Sequence, residues 1–382
     1  MGFHEFSSPY DWSRIAAYKR TAKAAFGGMI DLSVGSPVDP VSDSVRKALA
    51  VAANDPNAYG YPATAGTADL RAAIAEWFSA ARNVDLQAIH ADVVPTVGSK
   101  EGVALMASLL HFGEGDVVVQ PKVSYPTYEI GTQLAGAQVL KVDDVADVAS
   151  WRNVPGVKAV WVNSPCNPTG EVYSAERMAG IVAAAREIGA VVLSDECYAL
   201  MQWRGATNSA DDDPLQSTPC ALRSDVCAGS AEGVLVLYSL SKQSNMAGYR
   251  TAFIAGDESL IASMSAYRKQ IGQIIPGPVQ AAMAAGLRDL ESVKVQHARY
   301  RERLGVLVSA LRAYGYCTDM PDGALYVWVR AKSGDCWTDM EQLAKIGIIA
   351  SPGEFYGAPE CLRFSATASD EAIASAAERL AR

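Results

Sequence analysis

The chain has 382 residues, 49% of them hydrophobic and 20% charged, and a formal net charge of -9. Such a length favours two domains or one large one around an extensive core, and the composition excludes a disordered chain. The acidic balance, with no basic run or basic amphipathic helix to offset it, excludes a nucleic-acid surface. No apolar stretch is long enough to span a bilayer, and the start, Met1-Gly2-Phe3-His4-Glu5-Phe6, lacks the pattern of a signal peptide, so a cytoplasmic protein away from membranes is expected. Seven scattered cysteines without Cys-x-x-Cys spacing fit reduced thiols, and four dispersed histidines suggest no metal site.

In chain order, apolar strand-like runs near residues 92–97, 117–121, 158–162, 190–194, 234–238 and 252–255 alternate with helical patterns near 99–111, 125–134 and 174–188. This is the βαβ rhythm of an α/β fold with a mostly parallel central sheet flanked by helices. Gly189 reads as a helix stop, and the polar segment 205–232 reads as a surface excursion. Pro276-Gly277-Pro278 breaks the chain; beyond it a long helical pattern near 278–313 precedes strands near 324–329, 348–350 and 361–366 and a closing helix near 369–381. There Tyr326 and Trp328 alternate along a strand and read mainly as core.

Three strand ends carry chemistry. The run Val234-Leu235-Val236-Leu237-Tyr238 delivers Ser239-Leu240-Ser241-Lys242, with Arg250 eight residues on. An amine held at an apolar strand end beside a cation favours the neutral form that attacks aldehydes, the first step of Schiff-base chemistry. A lone lysine after a strand is far more often merely solvated, so the reading depends on partners. The strand near 158–162 runs into Asn163-Ser164-Pro165-Cys166-Asn167-Pro168-Thr169-Gly170, a turn with the Asn167 amide on its rim, and the strand near 190–194 ends at Ser194-Asp195-Glu196-Cys197-Tyr198. In open α/β sheets ligands lie beyond the carboxyl ends of strands, so these termini can face one crevice. A further strand breaks at Gly98 before a helix starting at Ser99, whose free amides favour an anion; alone, that feature is usually an ordinary cap. A carboxylate, donors, an amine and an anion cradle are together what pyridoxal phosphate requires.

With these motifs in this order, the chain from about residue 30 to residue 380 resembles the class I/II aminotransferases of pyridoxal-phosphate fold type I. The resemblance implies a large cofactor-binding domain over 31–276, a smaller C-terminal α+β domain over 277–382, and an N-terminal arm, 1–30, packing near the latter. It implies that Lys242 holds the cofactor aldehyde and shuttles the proton, that Asp195 partners the pyridine nitrogen, and that Asn167 and Tyr198 donate to the ring oxygen. Tyr125 stands where the family stacks an aromatic ring, and Gly98, Ser99, Lys100, Ser239, Ser241 and Arg250 stand at phosphate-cradle positions, Ser99 and Lys100 through backbone amides. Arg363, in Cys361-Leu362-Arg363-Phe364-Ser365, matches the arginine that grips the substrate α-carboxylate; Gly35 and Asn167 join it in substrate binding. Tyr61, in Tyr59-Gly60-Tyr61-Pro62, matches a tyrosine reaching the neighbouring subunit's phosphate, hence a homodimer with shared sites.

Four segments narrow the resemblance: Gly98-Ser99-Lys100-Glu101, Ser164 to Gly170, Gly334-Asp335-Cys336-Trp337 and Pro352-Gly353-Glu354-Phe355-Tyr356-Gly357 look like the succinyldiaminopimelate aminotransferases of bacterial lysine biosynthesis. The implied substrates are N-succinyl-LL-2,6-diaminopimelate and 2-oxoglutarate, by analogy rather than by a site argument. Other donors (aspartate, alanine, aromatic) and β-lyase, racemase or decarboxylase chemistry stay open. So do other readings of single residues: Arg363 as a rim arginine, Asp195 as a turn closer, Tyr61 and Tyr125 as ordinary aromatics, Cys166 and Cys197 as inert or oxidation-sensitive thiols. Ser239-x-x-Lys242 also spells a penicillin-binding hydrolase motif, but the accompanying Ser-Asp-Asn and Lys-Thr-Gly are missing. A transcription regulator with an aminotransferase-like sensor would need a DNA-binding domain, and only about thirty residues precede the block.

Overall fold

The computed structural model describes residues 10–203 and 218–382. Its strands, in chain order, are β1 (Ile30–Asp31), β2 (Ala91–Val97), β3 (Val117–Pro121), β4 (Gln138–Val142), β5 (Val157–Asn163), β6 (Val191–Asp195), β7 (Val234–Ser239), β8 (Thr251–Asp257), β9 (Tyr326–Arg330), β10 (Ile348–Ile349), β11 (Ser351–Pro352) and β12 (Cys361–Ser365). Seven form one sheet in the spatial order β2-β8-β7-β6-β5-β3-β4. Pairing is parallel from β7 through β6, β5 and β3 to β4, and antiparallel where β8 meets β7 and β2. Continuous apolar runs suit this sheet because helices cover both of its faces; β7, for example, is buried at every position. A second, antiparallel sheet of β11-β12-β9 and the small β1-β10 pair lie apart from it. The α/β architecture expected from the alternation is therefore present.

One core lies under the large sheet, where Trp77, Phe78, Tyr238 and Phe253 pack ring against ring, Trp77 and Tyr238 with centroids 4.2 Å apart. Another surrounds the small sheet and includes Leu304, Leu307, Ile348, Leu362 and Phe364. Each such side chain contributes about 1.5–3 kcal/mol on removal from water. The N-terminal segment joins the second core: Tyr18 stacks on Trp337, Tyr10 meets Phe355 edge-on, and Arg14 pairs Glu354.

Three expectations need correction. The single helix expected near 278–313 is two, Gly277–Arg288 and Leu290–Ala313, broken at Asp289, whose carboxylate accepts from the Ser292 amide as a cap. The first of these packs on helices Asp43–Ala53 and Ala68–Arg82 in the large-sheet core. The strand expected at 348–350 is split between β10, paired with β1, and β11, paired with β12. The excursion at 205–232 lies outside the described residues up to 217, and from Thr218 it is a surface segment only in part: Ser224, Asp225, Ala228, Gly229 and Glu232 are exposed, but Cys220, Ala221, Leu222 and Cys227 are fully buried. A polar composition misled there because Thr218, the Pro219 carbonyl and the Ala221 amide solvate a buried ion pair, Arg82 with Glu196 at 2.8 Å. Strand β4 was not foreseen; it is an edge strand with Gln138 and Lys141 exposed, so it lacks a continuous apolar run.

Candidate active site

The carboxyl ends of β5, β6 and β7 open on one cavity of about 360 Å³, lined opposite by the small sheet and residues 34–36. β7 ends at Ser239, whose hydroxyl accepts from the Ser241 amide and so starts the short turn Leu240–Gln243. That turn aims Lys242 into the cavity, where its Nζ donates to the Gly35 carbonyl. Gly35 is required there: a Cβ on it would collide with the Tyr326 hydroxyl.

Asp195, last residue of β6, sits beside Asn163 of β5. Its Oδ2 accepts from the Tyr128 hydroxyl at 2.7 Å and its Oδ1 from the Cys197 amide at 3.1 Å. Burial pushes this carboxyl above the usual carboxylate range despite both bonds, since among the described residues no cation pairs with it. Glu196 next to it is by contrast neutralised by Arg82. A buried carboxylate without a cation is a place built for one, and a protonated pyridine nitrogen is such a cation.

Asn163 holds the following turn by accepting from the Asn167 amide at 2.8 Å. The Asn167 side-chain oxygen then accepts from Arg363 Nη1 at 2.7 Å, while Nη2 donates to the Ser33 carbonyl at 2.8 Å. Arg363 comes from β12, buried, with its guanidinium 3.9 Å from the Tyr326 ring centroid and 4.7 Å from that of Tyr356. Its Nε has no partner, and no carboxylate among the described residues pairs with it. A fixed, planar, desolvated fork of this kind suits a carboxylate.

At the other end, the strand β2 turns at Gly98, φ +75°, into the helix Ser99–Leu109. A Cβ at Gly98 would strike the Arg250 guanidinium, so glycine lets the cation lie against the helix N-terminus. Ser239 and Ser241 hydroxyls, 2.8 Å apart, face the same corner. Free helical amides, two hydroxyls and a guanidinium form an anion cradle. The turn is braced by Glu101, which accepts from the Val97 amide and pairs the fully buried Arg268 at 2.7 Å. Lys100 projects its ammonium into the cavity, 5.5 Å from the Tyr10 ring centroid and 6.0 Å from that of Tyr125. Burial, then the Arg250 charge, lowers its pKa.

The cavity thus gathers Ser99, Lys100, Tyr125, Asn167, Asp195, Tyr198, Ser239, Ser241, Lys242, Arg250, Arg363 and Gly35. Gly98 lies behind Arg250 rather than on the wall. Tyr61 is fully exposed and does not enter this chain's own cavity. Tyr326, read as core, has its hydroxyl in the site, 2.7 Å from that of Tyr198; a strand's alternation marks a buried side but not that the side is a cavity wall. Tyr128 and Tyr10 also escaped the sequence reading, the first because it looks like any helix residue after Tyr125. Cys166 and Cys197 are held as thiols by burial, Cys166 pushed up to about 11.

The family model described as aminotransferase class I and II matches residues 27–380. The 4-dedimethylamino-4-oxo-anhydrotetracycline transaminase OxyQ of Streptomyces rimosus is 40% identical over 97% of this chain and 98% of its own. A probable aminotransferase of Mycobacterium tuberculosis is 39% identical over 97% of this chain and 84% of its own. The solved structure of a probable N-succinyldiaminopimelate aminotransferase from Thermus thermophilus superposes with a TM-score of 0.82 at 28% identity, covering 97% of this chain and 99% of that one. The unpaired carboxylate, the anion cradle and the strand-end lysine fit the pyridoxal phosphate that this fold type uses, and the chain belongs to the class I and II aminotransferases.

Proposed function

We propose that the chain transfers the amino group of N-succinyl-LL-2,6-diaminopimelate to 2-oxoglutarate, in a homodimer with shared sites. The observation that carries an α-amino acid substrate is Arg363, a buried guanidinium with an orphan Nε, no acidic partner among the described residues, and an opening to the cavity of Lys242 and Asp195. When bound, pyridoxal phosphate supplies an aldehyde to take up the amino group and a ring that draws charge from the α-carbon. Lys242 would hold that aldehyde through its amine and, with the amine free, would carry the proton from the α-carbon. Asp195 would keep the ring nitrogen protonated, with Tyr128 fixing its carboxylate. Asn167 and Tyr198 would donate to the ring oxygen and Tyr125 would cover the ring. Ser99 and Lys100 through their amides, Ser239, Ser241 and Arg250 would hold the phosphate, helped by Tyr61 of a second copy. Gly35 turns its carbonyl to the reacting amine, and Arg363 with Asn167 takes the α-carboxylate.

The distal end of the substrate is acidic, and Lys100 offers an ammonium between two tyrosines with no carboxylate partner among the described residues. The name of the Thermus structure and several LL-diaminopimelate aminotransferases, such as that of Syntrophobacter fumaroxidans at 29% identity, support the same substrate class. The 40% identity to the Streptomyces transaminase favours a second reading, amination of the large ring ketone in that relative's name. We read residues 31–276 as the cofactor-holding part, 277–382 as the smaller part and 1–30 as the arm, and place the enzyme in the cytoplasm.

A screen of amino donors and keto acceptors with purified holoenzyme decides the substrate. Glutamate formed from 2-oxoglutarate with N-succinyl-LL-2,6-diaminopimelate is the expected result. Activity confined to aspartate, alanine or aromatic donors, or amination of the ring ketone alone, removes the lysine-pathway substrate and leaves the aminotransferase. Ammonia released without glutamate would make it a lyase.

A further inference from the structure

Tyr198 and Tyr326 place their hydroxyls 2.7 Å apart in a buried contact, their rings edge to face with centroids 5.6 Å apart. Two hydroxyls at that distance share one hydrogen, and one of the two protons is left for another acceptor. Tyr326 is fixed in place: β9 pairs it with Ser365, the Arg363 guanidinium lies 3.9 Å from its ring centroid, and its hydroxyl fills the space above Gly35 where no Cβ fits. Its position gives it no freedom to turn away from Tyr198.

We propose that the Tyr326 hydroxyl donates to the Tyr198 oxygen and thereby strengthens the hydrogen bond that Tyr198 donates into the cofactor, so that Tyr326 is a positioning residue for the reaction. This rests on the reading that Tyr198 faces the ring oxygen. The direction of donation follows from the hydrogen count: Tyr198 has a single hydroxyl hydrogen, and with that hydrogen given to the ring oxygen its own oxygen can only accept from the Tyr326 hydroxyl. The surroundings favour this direction, because the Arg363 guanidinium lies against the Tyr326 ring and the charges of Arg363 and Lys242 both act to make that phenol a better donor. A donor that is itself hydrogen-bonded as acceptor is polarised and donates more strongly.

The test is the absorbance of the lysine-bound cofactor followed against pH in reconstituted holoenzyme. When the proton beside the ring oxygen leaves, that oxygen's charge is uncompensated, so a donor to it favours the deprotonated form and lowers the midpoint. Tyr326→Phe is expected to raise the midpoint by roughly half a pH unit, about a threefold change in the proton-binding constant. Tyr198→Phe should raise it more, and the double variant should titrate like Tyr198→Phe alone, because the relay has then lost its output. 3-Fluorotyrosine placed at position 326 is a stronger donor and should lower the midpoint; it keeps the side chain's shape, so it serves if Tyr326→Phe fails to fold. A Tyr326→Phe midpoint equal to wild type, or shifts that add in the double variant, would overturn the relay while leaving Tyr198 in its role. An unchanged midpoint in Tyr198→Phe would remove both.

Discussion

Asp195 accepts two hydrogen bonds yet has its pKa raised by burial, a combination that makes its charge depend on what binds beside it. A pyridinium in contact would reverse the shift, and the same contact would stabilise the charge that develops when the α-proton leaves. Asp195→Ala is expected to lower kcat/KM by on the order of 10³-fold or more, about 4 kcal/mol at ~1.4 kcal/mol per tenfold. Tyr128→Phe removes only one neutral donor to the carboxylate, so about 1 kcal/mol, roughly fivefold, is expected in the same assay. Near-normal turnover of Asp195→Ala would end that assignment. At Lys242, borohydride should fix the cofactor to this side chain, and Lys242→Ala should keep the fold and lose transamination; peptide mapping to another lysine contradicts it. Arg363→Lys keeps the charge and loses the fork, so KM should rise for amino donor and 2-oxoglutarate alike, since both present the same group. Residues were legible where they end a strand with an unusual polar group, as Lys242, Asp195 and Asn167 do. Those that reach the site from the side of a helix or strand, Tyr128 and Tyr326, carry no such mark.

At the level of elements, the turn from β2 into the helix Ser99–Leu109 depends on one glycine. Gly98 has φ +75°, and any side chain would displace the Arg250 guanidinium. Gly98→Ala therefore combines backbone strain with a lost phosphate contact, each of order 1–3 kcal/mol. Apoenzyme titrated with pyridoxal phosphate should show affinity lower by roughly 10- to 100-fold; unchanged affinity would mean that Arg250 does not serve the phosphate. The central strands were legible because both faces are covered, which leaves long apolar runs. Edge strand β4 and the two-residue strands β1 and β11 were not, because pairing with a neighbouring strand, rather than local composition, makes them strands; the run at 348–350 marked β10 but not the switch to a different partner at β11. The buried part of the segment after Thr218 was hidden for another reason: the Thr218 hydroxyl and the Ala221 amide are taken up by the Arg82–Glu196 pair.

At the scale of the whole molecule, the cavity is lined from both sheets but lacks one expected contributor. Tyr61 is fully exposed, together with neighbouring Tyr59, while every other expected contact residue except Gly98, behind Arg250, lies on the cavity wall. Two exposed aromatic rings in one turn are poorly placed for a monomer in water, and a two-fold interface would cover them and carry each Tyr61 to the other chain's phosphate. Each active site would then be incomplete in one chain. The consequence is a complementation test. Lys242→Ala chains, inactive by themselves, are refolded together with Tyr61→Phe chains of reduced cofactor affinity. In the hybrid dimer one site receives Lys242 from one chain and Tyr61 from the other, while the second site lacks both. Specific activity at limiting cofactor should exceed that of the Tyr61→Phe parent refolded alone at the same concentration of active chains. If Tyr61 served only its own chain, mixing would merely dilute the parent. Sedimentation at the assay concentration supplies the independent check, because a fully active monomer would rule the shared site out.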